Sequence, residues 1–145
     1  MEVYMYYQDE LQEILAYKMK DKDLLFISRA ANAHGSGIGI TLFTKGTLIT
    51  GITVSGKEYY EKQIDAMNAF GDVSTAKLLS EHFKECLELY QSDDNENYVF
   101  PDNFLHLKDV SFRLGEGKLG ELKKSILRIK IEEVDGYVLG LMSNE

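Results

Sequence analysis

The 145-residue sequence predicts a single α+β domain: a small, bent antiparallel β-barrel with N-terminal helices and a helical hairpin inserted after the second strand. Three observations lead there. Apolar residues recur at helical spacing up to His34 and again from Tyr60 to Tyr90. They alternate at period two around 38–54 and once more beyond Phe104. The strands are joined mainly by tight turns, which favours antiparallel neighbours over a parallel sheet. A chain of this length forms one ordinary domain over 1–145 with a real core.

The elements follow in order. Leu11, Ile14, Leu15 and Lys18 keep helical spacing over Gln8 to Met19, so residues 1–22 read as an N-terminal helical extension. A second helix is expected from Asp23 to His34, with Leu24, Ile27, Ala30 and Ala31 on one face and Gly35 placed for a left-handed cap. Ile38, Ile40 and Leu42 then alternate as a strand, Lys45-Gly46 marks a turn, and β-branched Thr47 to Val54 returns. Ser55 followed by Glu58 is a capping box. The helix it opens carries Tyr60, Ile64, Met67 and Phe70 and stops at Gly71; Ser74 opens the next, with Ala76, Leu79, Phe83, Cys86 and Tyr90 in register.

Residues 91–103 (QSDDNENYVFPDN) form an acidic loop holding the sole proline. Phe104 to Leu114 is a strand whose alternation slips by one residue at Lys108-Asp109. A glycine- and lysine-rich loop follows to Lys124. A strand is expected from Ser125 to Ile131, a turn at Asp135-Gly136, and a last strand from Tyr137 to Met142.

Composition excludes several functions. One cysteine rules out an intramolecular disulfide framework and any multi-cysteine metal centre. No apolar run reaches the roughly 20 residues of a membrane span, and the first residues lack the pattern of a secretory signal, so a cytoplasmic protein without membrane contact is expected. The net charge of −8 opposes nucleic-acid binding. It is unevenly spread: residues 1–103 carry a net −8, residues 104–131 carry +4 from 7 basic and 3 acidic groups, and residues 132–145 carry −4. A basic stretch on one molecule can face an acidic one on another.

No catalytic constellation emerges. Gly115 to Gly120 spells G-x-G-x-x-G, but Lys123 and Lys124 lead into a strand rather than the helix a dinucleotide requires. Gly35 to Gly39 runs from helix to strand, the reverse of a phosphate cradle. His34, His82 and His106 show no metal-ligand spacing, and His106 points opposite to Leu105 and Leu107. Cys86 shares a helical face with Leu79 and Phe83, which predicts burial rather than a nucleophile. Glu132 and Glu133, adjacent on a strand, point to opposite faces. Neither cofactor nor metal is expected. The candidate interaction surface comprises Tyr59 and Tyr60, amphipathic rings suited to half-wet contacts, with Lys118, Lys123 and Lys124 of the basic loop.

Ile40, Leu42, Gly46, Ile49, Gly51 and Ser55 are spaced as in the first half of the Sm-like and SH3-like barrels, which that pattern resembles. The RNA-contacting residues of that group are missing: there is no Asp at the loop following the second strand, no Met-Asn pair near it and no Arg-Gly dipeptide in the last hairpin. A longer resemblance runs from about Asp23 to Met142. Asn32-Ala-His34-Gly35, Gly46 through Ile49-Thr-Gly51, Val54 through Tyr60, Phe104 through Asp109 and Glu133 through Gly140 together look like the gas vesicle accessory protein U (GvpU) family. That resemblance implies a non-enzymatic cytoplasmic helper associated with vesicle assembly or clustering. It brings no catalytic residues, and its partners would be vesicle shell or assembly proteins. Together with the split charge, it leads us to expect a homo-oligomer. The rival readings are a ligand-binding or enzymatic domain with a cleft between helices and barrel beside His34 or His106, and an RNA-binding Sm-like module.

Overall fold

The computed structural model describes residues 20–91 and 97–144. The helix expected over Gln8 to Met19, and residues 92–96 of the acidic loop, lie outside the described residues. The described part of that loop, Gln91 and 97–103, holds no helix or strand.

Helix α1 (Lys22–His34) begins because the Asp21 carboxylate accepts from the Leu24 amide at 2.9 Å. It ends because Gly35 adopts φ 68°, handing its N–H to the Ala31 carbonyl. Its buried stripe is Leu24, Leu25, Ser28 and Ala31, with Ile27 partly buried, a rotation from the expected face. Ser28 is tolerated there because its hydroxyl donates to the Phe104 carbonyl.

Strands β1 (Gly39–Thr44) and β2 (Thr47–Val54) form a two-residue hairpin in which Lys45 and Gly46 both take positive φ, the geometry that matches strand twist. Helices α2 (Gly56–Asn68) and α3 (Ser74–Glu88) follow, the first capped by the Ser55 hydroxyl accepting from Glu58 N–H at 3.0 Å. On α3 the face turned to α2 runs through Ala76 and Ser80, which are buried; Leu79 is 38% exposed and Cys86 only half-buried, contrary to expectation.

Strand β3 (Phe104–Leu114) pairs with β2 along its length, and the register shifts where Asp109, at φ 51°, stands as an extra residue opposite Gly51. The slip read at Lys108-Asp109 is therefore a β-bulge. On its other edge β3 holds two partners in turn: β5 (Leu127–Lys130) along 104–107 and β4 (Gly120–Leu122) along 110–112. A 3-10 turn (Ile131–Glu133) follows β5, and β6 (Gly136–Leu139) pairs with β1.

The sheet runs β4-β3-β2-β1-β6 and is open, so the predicted barrel does not close. The cause lies after Lys130. A strand reaching Ile131, a tight Asp135-Gly136 turn and a strand to Met142 would have made a hairpin. Instead the 3-10 turn directs the chain across to β1, and the Asp135 carboxylate accepts from the Lys45 amide. β6 ends at Leu139, and beyond it the Met142 amide donates to the Thr50 hydroxyl. With β5 and β6 at opposite sides, the two edges never meet.

One sheet face packs on α1 around Leu24, Leu25, Ile40, Leu42, Ile49, Leu105, Leu107, Val110 and Ile131. The other face, at the Val54–His106–Arg128 row, is covered by Tyr59 and Tyr60 of α2 and by Tyr90, and α3 packs on α2.

Candidate interaction surface

Beneath α2 sits an aromatic cluster built from four elements. The chain can approach because Gly56 has no side chain: a Cβ there would stand 2.2 Å from the Tyr90 ring. The Gly56 amide also donates to the Asn32 side chain of α1, pinning the helix start. One turn later Tyr59 stacks on His106, with centroids 4.8 Å apart and planes 30° from parallel, and Tyr60 meets Tyr59 edge-on at 4.9 Å. Tyr90 closes the far side against both Tyr60 and His106.

Arg128 threads this cluster. Its guanidinium carbon lies 3.6 Å from the Phe104 ring centre, 5.5 Å from Tyr60 and 5.7 Å from Tyr59. Its Nη1 is 3.0 Å from His106 Nε2. Arginine can only donate, so Nε2 accepts and the ring hydrogen belongs on Nδ1. Burial, reinforced by the Arg128 charge, drives the His106 pKa from 6.5 down to about 3, and the ring is neutral. Burial likewise pushes the Tyr60 hydroxyl up to about 12, and raises Tyr90. None of these groups is poised for proton transfer near neutral pH.

The five residues singled out from sequence fall into two groups. Tyr59 and Tyr60 face the N-terminal half of β3; Tyr59 is half-buried and Tyr60 only 7% exposed. Lys118, Lys123 and Lys124 are all exposed beside the C-terminal half of β3, Lys124 at φ 61°. There Lys123 and Lys124 join Asp109, Ser111 and Glu121 around a shallow polar depression. The fold does not bring the tyrosines and lysines together. It does place residues 118–124 on the β4 edge and Glu133 and Asp135 beside β1 on the β6 side, while the Leu119 amide donates to the Asn144 side chain and so brings the tail of the acidic segment back to the basic loop. Lys45 and Glu133, 2.5 Å apart, raise and lower one another's pKa values through their ion pair.

Sequence reasoning missed His106 and Arg128 as partners. The glycine-rich segment 115–120 joins β3 to β4 with no helix behind it. His34 lines an apolar groove of about 340 Å³ beside α1 with Phe26, Ala30, Gly37 and Ile38, and no carboxylate lines it among the described residues. Among those residues no three His, Cys, Asp or Glu side chains gather, and no helix is long and apolar enough to cross a membrane.

Such a molecule is an α+β domain with an open antiparallel sheet and an aromatic cluster enclosed beneath one helix. The chain belongs to the GvpU-like family of gas vesicle proteins, which matches residues 21–142, and so is a gas vesicle accessory protein. No curated protein and no solved structure matches it.

Proposed function

We propose that the chain is a non-enzymatic, cytoplasmic accessory protein that binds other proteins, vesicle shell or assembly components among them, during gas vesicle assembly or clustering, and that it self-associates in doing so. The family match carries this reading, because residues 21–142 take in every helix and strand described, rather than one grafted motif. The distribution of charge supports it: the exposed Lys118, Lys123 and Lys124 at the β4 edge of a chain of net charge −8 suit contact with an acidic protein surface, since opposite fields steer encounter. Lys118, Lys123 and Lys124 are the proposed contact cations, with Tyr59 at the margin of the aromatic cluster and Tyr60 behind it. Nucleic acid is not the proposed partner, given the net −8.

Flotation tests it. Purified chain mixed with isolated gas vesicles at low salt is expected to rise with them, and Lys118→Glu with Lys123→Glu and Lys124→Glu to weaken that association by about tenfold or more. Wild-type protein left wholly in the liquid below would overturn the proposal.

A further inference from the structure

Helix α1 has an apolar side that the core leaves uncovered. At about 100° per residue its core-facing stripe is Leu24, Ser28 and Ala31, while Phe26, Ala30 and Ala33 share an arc of about 60° that points away from it. Phe26 is 71% exposed, and Ile38, just beyond the helix, 43%. Between this arc and the chain that leaves the helix lies the groove of about 340 Å³, with Phe26, Ile27 and Ala30 on one wall and Gly37 and Ile38 on the other. It has room for a few aliphatic side chains, and among the described residues no Lys, Arg, Asp or Glu lines it.

The chain supplies its own cover for this side. Lys20 is held at the head of α1, its Nζ donating to the Asn103 side chain and lying 3.7 Å from Asp102, the carboxylate that also meets Arg29 of α1 at 3.5 Å. The residues ahead of it therefore start from the N-terminal end of α1. The helix expected from the sequence over residues 8–19 is about 18 Å long, and α1, with 13 residues, about 20 Å. Lys20 and Asp21 suffice as a turn, since helices in bundles are joined by as few as about two residues. Folded back with Met19 level with Lys22, such a helix runs along α1 almost end to end. Its Tyr7, Leu11, Ile14, Leu15, Lys18 and Met19 fall in an arc of about 140°, with Asp9 and Glu13 on the opposite side. In that register Leu15 meets Phe26, Leu11 settles over the small Ala30, and Lys18 stands abreast of Asp23. We propose that residues 8–19 dock on this side of α1 as an antiparallel helix, with Leu11 and Leu15 entering the groove. The occupant is the chain's own segment rather than that of a second copy, because so short a tether holds it at an effective concentration in roughly the millimolar range. Once docked, the segment covers Phe26 and turns Asp9 and Glu13 outward, so an apolar side of the molecule becomes an acidic one. The inference is independent of the vesicle reading, and neither experiment bears on the other.

Amide hydrogen exchange on the full chain reads the docking directly. In wild type, residues 11–18 are expected to exchange about tenfold or more slowly than in Phe26→Asp. That substitution falls on an exposed side chain, so the protection of β1, β2 and β3 is expected to stay as in wild type. Cross-linking then identifies the occupant. In a Cys86→Ser background, Leu11→Cys with Ala30→Cys is expected to close a disulfide within one chain under mild oxidation, since facing positions on packed helices come within its reach. Glu13→Cys with Ala30→Cys, which sets one thiol on the far side of the segment, is expected to close about tenfold more slowly or not at all. Unprotected amides over residues 11–18 in wild type, protection that survives Phe26→Asp, equal closure by the two cysteine pairs, or a disulfide formed between two chains in place of one would each overturn the proposal.

Discussion

His106 is a neutral imidazole enclosed by Tyr59, Tyr90 and Arg128, and it makes the fold sensitive to acid above the range in which carboxylates titrate. The folded-state pKa is near 3 and the unfolded one near 6.5. Between those values the unfolded chain takes up a proton that the folded chain refuses. Stability is therefore full above pH 6.5 and falls as pH drops, by at most about 1.4 kcal/mol per unit. Denaturant titrations at pH 7.5, 5.5 and 4.5 are expected to show that slope in wild type, and His106→Gln to flatten it between 6.5 and 4.5. Arg128→Met leaves Nε2 buried without a donor and is expected to cost about 1–3 kcal/mol in the same titration. The orientation of His106 away from Leu105 and Leu107 was legible in the strand's alternation. That helices roof that side was not, since nothing within Phe104 to Leu107 says which face meets water. The partners Tyr59, Tyr90 and Arg128 lie far apart in sequence. The one local clue is Gly56, a poor helix former inside a capping box, there because Tyr90 presses on it.

At the scale of elements, legibility followed the range of the interaction. The Lys45-Gly46 hairpin, the Ser55 cap, the left-handed Gly35 and the bulge at Asp109 each depend on a few adjacent residues, and each stands where the residues predict. The barrel depended on where β6 would pair. That choice is made by Ile131 burying itself in the core and turning the backbone into a 3-10 turn, which the alternating Leu127, Ile129 and Ile131 conceals. Two substitutions probe the local devices by thermal melting. Ser55→Ala removes the acceptor for Glu58 N–H and is expected to cost about 1 kcal/mol. Gly51→Ala places a methyl 2.9 Å from the Lys108 carbonyl, a backbone atom that cannot swing aside, and is expected to cost about 1–3 kcal/mol.

Across the whole molecule, β6 fastens one end of the chain to the other. Tyr137 packs beside the core and donates its hydroxyl to Asp21 at the head of α1, a bond that holds its own pKa up at about 12 and helps lower that of Asp21. Ending the chain after Asp135 removes that link and the outer partner of β1, and is expected to abolish the cooperative melt seen by circular dichroism. The pairing of Ile40 with Leu139 carries a further cost in time. While the chain is being made, β1 can zip to β2 at once, yet its outer edge waits for residues almost a full domain length away. Throughout that interval a strand bearing Ile40 and Leu42 offers unpaired amides and carbonyls to any neighbouring nascent copy. Crowded translation of this chain thus courts edge-to-edge aggregation before the native contacts exist, and slower elongation would lengthen the exposure.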